Sequence, residues 1–297
     1  MQASKSIAKR IAEECDQGLL TQLQVFHDST EPDPLRKSIL VIHTLPDDPE
    51  VQHLKDGGWR KYNKLVFASH WQQEQFYLYF GIPYSQGTVL YNGIDPIELH
   101  SKEDPSKGNL TLIYNLPPER GLDYLYVAFN QLCNEFDNLD LRVFCDFDTQ
   151  DKSYKELKGL VNNHPNITYS KRVSNDKIRD ELQKAHIFAY PCVWQETSCI
   201  SMIEALSAGC YCVHPALGAL KETSLGITHM YSFQDERQKH IDSFYVELKR
   251  AILLHNHSFD YIRSNTETTK AIADFKYDWT AKKDQWNSLF EQILSFG

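Results

Sequence analysis

Apolar positions along this chain follow two alternating patterns. Short runs of about four to six mostly apolar residues are separated by longer stretches in which apolar residues recur three or four apart. The short runs predict strands buried on both faces, and the longer stretches predict amphipathic helices. Residues 4–25 read as a helix carrying Ile7, Ile11, Leu19 and Leu23 among polar neighbours, and Asp28 to Pro34 reads as a polar break. Strands are expected at Ser38 to Ile42, Lys64 to Ala68 and Thr88 to Tyr91, with a helix from Trp71 to Phe80 that stops at Gly81-Ile82-Pro83. Residues 98–109 are polar, contain Pro105 and Gly108, and form a linker. Beyond it, strands are expected at Leu110 to Tyr114, Leu141 to Cys145, Ile167 to Tyr169, Ile187 to Tyr190 and Cys210 to His214. The intervening helices fall at Leu122 to Phe136, 151–163, Asn175 to Ala185, from Ser198 or Cys199 onward, and 241–255, with a closing helix from Tyr277 to Ile293. Strands alternating with helices in this way predict an α/β fold built on doubly wound parallel sheets. There is no repeat of fixed period and no low-complexity tract.

Composition narrows the function classes. The 297 residues suffice for two ordinary domains, and 41% hydrophobic with 24% charged residues is a globular balance. A formal charge of −9, with no Lys/Arg cluster interleaved with aromatics, argues against nucleic acid as a partner. The seven cysteines are scattered, without a Cys-x-x-Cys pair, and Cys210 and Cys212 alternate like small core residues. This usage fits a reducing, cytoplasmic compartment. The first residues carry acids where a signal peptide needs apolar residues, and no run approaches the ~20 apolar residues of a membrane span.

The stretch from His186 to Gly209 carries the strongest chemical signal. A strand ends at Tyr190-Pro191, a loop follows with Trp194 and Glu196, and a helix begins whose Ile200, Ile203 and Leu206 face inward. Ligands of open α/β sheets bind beyond the carboxyl ends of strands, where helix N-termini offer unpaired N–H groups to anions. Glu196 and Glu204, eight residues apart, flank this turn. On spacing alone, Glu196 also reads as a solvated loop residue, and Ser201-Met-Ile-Glu204 as a capping box. Arg120 reads equally as a surface arginine, His43 as a structural histidine, and Gly218 as a simple turn.

The ordered string Tyr190-Pro191, Glu196, Glu204-Ala205-Leu206-Ser207-Ala208-Gly209 resembles the Glu-x7-Glu signature of the large retaining family of GT-B glycosyltransferases. Asn92-Gly93-Ile94-Asp95 is similar to that family's Asn-Gly-(Val/Ile)-Asp lead into its C-terminal domain, and Phe67 to Trp71 to its last N-domain strand and helix. The resemblance spans roughly residues 38–293. It implies two Rossmann-like domains: a reduced, acceptor-side domain over 1–97 completed by a helix at 277–297, and a nucleotide-sugar-binding domain over 98–276. It further implies retaining hexosyl transfer from a UDP-, GDP- or similar sugar to a glycan, lipid or small-molecule acceptor. No metal and no cofactor beyond the co-substrate are implied. About 40 residues precede the His43 strand, where the family has several further βα units. Either the acceptor side is trimmed, or a second copy or partner subunit completes it.

The resemblance also assigns roles. Glu204 accepts hydrogen bonds from the ribose hydroxyls, and Glu196 holds hydroxyls of the transferred sugar. The backbone N–H groups of Thr197, Ser198, Cys199 and Ile200 face the diphosphate. The segment Tyr114 to Leu122 is similar to the family's phosphate loop, whose two cations fall here on Asn115 and Arg120; one is thus absent, unless Lys171 or Arg172 replaces it. His43-Thr44 resembles a His-Thr loop that faces the donor sugar in some members. His43, Glu196 and Arg120 are therefore the expected catalytic residues. Gly218 matches a glycine loop ahead of a family glutamate, here Glu222. Asp146-Phe147-Asp148 has the spacing of a metal-binding Asp-x-Asp but reads as a polar loop, and His255-x-His257 sits at a helix end where histidines suit the dipole. A donor-binding protein without transfer activity stands as the alternative. A dinucleotide enzyme is disfavoured, since Gly-x-Gly-x-x-Gly is absent from the first strand.

Overall fold

The computed structural model describes residues 2–27, 31–148 and 150–295. The chain divides into two units, one of Met1–Asp95 with Tyr277–Gly297, the other Pro96–Lys276. Residues 28–30 of the expected polar break, and residues 1, 296 and 297, lie outside the described residues.

The first unit holds a four-stranded parallel sheet in the order β1-β2-β3-β4, with β1 at Gln24–His27, β2 at Ser38–Ile42, β3 at Lys64–Phe67 and β4 at Gly87–Val89. All five residues of β2 are buried, as its unbroken apolar run requires. The helix expected over 4–25 is not continuous. It resolves into α1 (Gln2–Glu14), the single turn α2 (Gln17–Leu20) and strand β1. Asp16 makes the break, because its carboxylate caps Leu19 N at 3.0 Å and starts a new turn. α3 (His70–Phe80) opens on Ser69, whose hydroxyl accepts from Gln72 N at 3.0 Å, and stops at Gly81 in the left-handed region with φ 66°. Leu40, Ile42, Leu54, Leu65, Phe67 and Phe76 form the core of this unit.

The second unit is a six-stranded, all-parallel sheet in the order β10-β9-β8-β5-β6-β7. Its strands are β5 (Leu110–Tyr114), β6 (Leu139–Phe144), β7 (Ile167–Ser170), β8 (Ile187–Ala189), β9 (Tyr211–Pro215) and β10 (His229–Tyr231). Its helices are α4 (Leu122–Leu132), α5 (Lys152–Asn163), α6 (Asn175–Lys184), α7 (Ile200–Ser207), α8 (Leu220–Thr223), α9 (Arg237–His257) and α10 (Phe259–Tyr277). Strands β5, β6 and β7 proceed to one side and β8, β9 and β10 to the other, so the winding reverses between β5 and β8. That is the topological switch point at which such sheets take ligands.

The closing helix α11 (Trp279–Ser295) belongs to the first unit. Ile94 brackets its entry, with Ile94 N donating to Tyr277 O and Trp279 N donating to Ile94 O, both at 2.8 Å. Trp279 Nε1 then donates to Glu14 at 2.6 Å, fixing α11 on α1. The strand β10 and the helix α10 have no counterpart among the sequence expectations.

Candidate functional site

Three loops meet at the carboxyl edge of the second sheet, and two glycines allow the approach. After β5 the chain turns through Pro118–Arg120 to Gly121, at φ 117°, where a Cβ would stand 2.3 Å from Pro191 O. After β9, Gly218 at φ 56° lies against the Glu196 backbone, where a Cβ would meet Glu196 O at 2.7 Å and N at 2.8 Å. Only glycine fits either place. Ala219 N then donates to Glu196 O at 2.8 Å. Glu196 is therefore clamped from both neighbouring loops and is 5% exposed, which rules out the solvated-loop reading.

Its carboxylate is gripped as well. Arg120 forms an ion pair with Glu196 Oε1, and Tyr190 OH donates to the same oxygen at 2.6 Å. Burial works against the charge on Arg120, but the Glu196 carboxylate outweighs it and raises the guanidinium above its ordinary pKa. Burial, then Glu196, pushes the Tyr190 phenol well up, so it remains a donor. Trp194, 48% exposed, presents its ring 5.7 Å from Arg120 Cζ. Cys199 precedes α7 without a side-chain cap, leaving the first N–H groups of that helix to other acceptors. Thr197, Ser198 and Ile200 are half-buried around this start, and Cys199 is buried.

Glu204 belongs to a second cluster. It is 4% exposed on α7, accepting from Asn175 Nδ2 at 2.9 Å and from Arg179 Nη1 at 3.4 Å. The capping-box reading fails here, because the helix begins at Ile200 and Ser201 already lies inside it. Sequence reasoning missed Asn175 and Arg179. Their four-residue spacing places them on one face of α6, but nothing in the spacing says that this face packs on α7.

Asn115, at the end of β5, is half-buried, and its Oδ1 is buried without a hydrogen-bond partner. A bare acceptor suits a hydroxyl and cannot neutralise a phosphate. Lys171 and Arg172 are exposed beyond β7, the edge strand two places from β5. Asp148 accepts from Gln150 N at 3.0 Å, as a turn residue does, and Asp146 accepts from Arg172 N at 3.4 Å on the loop after β7. His255 is buried, with Nδ1 on Ala251 O at 2.7 Å.

In the first unit, Gln72 ties down the turn that carries His43, donating to Ile42 O at 3.2 Å and Thr44 O at 2.9 Å. His43 Nε2 lies 3.0 Å from Nδ1 of His27, at the end of the neighbouring β1, and the rings stack with centroids 5.3 Å apart. Burial pushes both imidazoles down to about 4, with His43 adding to the shift of His27. Both are neutral at pH 7, and one N–H is shared between them. His27 escaped sequence reasoning because the expected helix ran to residue 25, into β1, and left His27 in no predicted element.

Residues 98–224 match the family model described as Glycosyl transferases group 1. The whole chain aligns with 82% of a glycosyltransferase from Rickettsia africae, at a TM-score of 0.72 and 12% identity. The chain has the GT-B glycosyltransferase fold. HepE of Anabaena, solved with UDP and glucose, shares this GT-B architecture at a TM-score of 0.61 and 17% identity, over 88% of this chain and 72% of its own. Sucrose-phosphate synthase of Thermosynechococcus elongatus does so at 0.68 and 14%, over 88% and 69%. No curated protein sequence matches the chain. The family match lies on the unit that carries Arg120, Glu196 and Glu204. No helix among the described residues is long and apolar enough to cross a membrane.

Proposed function

We propose that this protein is a retaining hexosyltransferase that moves a sugar from a nucleotide-sugar donor to a glycan, lipid or small-molecule acceptor. The observation that carries the reading is the Arg120–Glu196–Tyr190 cluster at the switch point of the second sheet, beside the uncapped start of α7. Arg120 and the N–H groups from Thr197 to Ile200 stabilise the leaving diphosphate. Glu196 and the bare Asn115 amide oxygen hold hydroxyls of the sugar, and Glu204 holds the ribose diol. Uridine is the favoured base, supported by the neighbour solved with UDP. His43 is the first unit's candidate for contact with the reacting sugar, presented neutral by burial.

Neither carboxylate of the site has a nucleophile's surroundings. Glu196 is held by Arg120 and Tyr190, and Glu204 by Asn175 and Arg179. Transfer therefore proceeds on one face of the sugar, with the leaving phosphate taking the acceptor proton, and needs neither metal nor further cofactor. The reaction belongs to the cytoplasm, and a second copy or partner subunit adds to the acceptor side. One structural neighbour is a GtfA/B complex. A second reading, donor binding without transfer, is favoured by Asn115 where a cation would assist departure.

The test is product analysis. The protein is incubated with UDP-sugars and acceptor mixtures, UDP release is followed, and the product anomer is read by NMR. Retention is expected, with turnover about tenfold lower in His43→Ala, at the low end of what a positioned acid–base group contributes. An inverted product refutes the retaining assignment, and donor binding without UDP release favours the second reading.

A further inference from the structure

The Pro96–Lys276 unit contains a cavity of about 420 Å³ at the amino edge of its sheet, opposite the edge that carries Glu196. His186 precedes β8 there, Gly209 precedes β9, and Phe259 to Glu267 of α10 form one wall. The volume lies within the range of small-molecule pockets.

Its floor contains an unmet hydrogen-bond acceptor. His255 is 1% exposed and lines the cavity. Its Nδ1 lies 2.7 Å from Ala251 O, a contact that requires the proton on Nδ1 and leaves a lone pair on Nε2. Among the described residues, no group donates to that Nε2. Burial pushes the His255 pKa down to about 3, so the ring stays neutral. The adjacent His186 shows the contrast, with Nδ1 accepting from Thr111 N at 3.1 Å and Nε2 on Glu103 O at 2.8 Å.

The neighbouring cations are already engaged. The buried ammonium of Lys102 is held by the carbonyls of Ala185 and Gly209, and Arg263 pairs with Asp260 at 3.0 Å. Glu267 stands exposed at the rim. Ile262, 2% exposed, and the half-buried Phe259 supply apolar wall. An anionic ligand would find no free ammonium N–H in the floor, and a purely apolar one would leave Nε2 unmet.

We propose that this cavity binds a small uncharged molecule carrying a hydroxyl beside an apolar face, with the O–H donating to His255 Nε2 and the face resting on Phe259 and Ile262. A pyranose and an aryl alcohol share that chemistry. The proposal stands apart from the donor site, so either can fail without the other.

The test uses the full chain with ¹⁵N-labelled histidine, titrated with methyl α-glucopyranoside, benzyl alcohol, toluene and benzoate. The expected result is a saturable shift of the His255 Nε2 resonance with one of the two alcohols, whichever responds identifying the ligand type. Toluene and benzoate leave it unmoved. Ser101→Trp at the exposed rim blocks entry and weakens the response about tenfold or more; Thr266→Met fills the cavity from α10 and should do the same. Absence of a saturable shift with both alcohols, an equal response to benzoate, or an undiminished response in Ser101→Trp overturns the proposal.

Discussion

The two sheets of this protein end very differently at their carboxyl edges. The first ends in two neutral, stacked imidazoles, His27 and His43, whose charge has been removed by burial. The second ends in a clamped ion pair, Arg120 with Glu196, beside an uncapped helix start. Both edges are built from parallel strands and short loops, so topology does not distinguish them. The difference lies in whether a countercharge was placed beside the buried group. Where it was, the edge keeps charged groups; where it was not, it presents only neutral hydrogen-bonding groups.

The largest break in this contrast comes from Arg120→Ala. Leaving the nearly buried Glu196 carboxylate unpaired should cost about 3–5 kcal/mol of stability, read as a lower urea midpoint. Adding Glu196→Gln removes the orphaned charge and should recover part of it. No recovery would mean that the pair is not what holds these loops.

Next is Glu204→Ala, which removes the acceptor of Asn175 and Arg179 and of the proposed ribose diol. Donor affinity should fall by about 100-fold, the equivalent of two hydrogen bonds to a charged group. A UDP-sugar should then no longer raise the melting temperature.

The neutral edge is probed by pH. Both imidazoles are pushed down to about 4 from 6.5. Between pH 6.5 and 4 the unfolded chain therefore binds protons that the folded one refuses, and stability falls as pH falls through that window. Below about 4 the folded rings also charge and the loss levels off. His186 and His214 contribute in the same direction from the second unit. His27→Gln should reduce the acid loss without affecting donor affinity; an unchanged acid profile would refute the buried, neutral pair.

The smallest effect is expected at Trp194, whose ring is half exposed and 5.7 Å from Arg120. Trp194→Ala should weaken donor binding only a few-fold, about 0.5–1 kcal/mol, by calorimetric titration.

The second edge was far more legible in the sequence than the first. β5 and α6 are bounded by clear punctuation, and the Glu196–Glu204 string sits between a Tyr-Pro strand end and a terminal glycine. Their partners were not legible, because Arg179 reaches Glu204 only through the packing of two helices. On the first edge, β1 is a half-buried four-residue strand lacking a continuous apolar run, and the periodicity of Leu19 and Leu23 extended the expected helix into its first two residues. Helix α10 escaped for a different reason. Its centre is rich in Thr, Ser and Asn, poor helix formers by propensity, yet Thr266, Thr268 and Thr269 bond back to carbonyls three or four residues earlier. Tertiary packing, with Ile262 and Ala273 buried, holds a helix that local preference disfavours.

The central claim is that the switch-point edge of the second sheet grips an activated sugar by its charges. A crystal structure with UDP-glucose tests it most directly. The account predicts the diphosphate against Arg120 and the N–H groups of Thr197 to Ile200, with the ribose diol on Glu204. Ordered nucleotide elsewhere, with Arg120 and Glu196 untouched by it, would contradict the account.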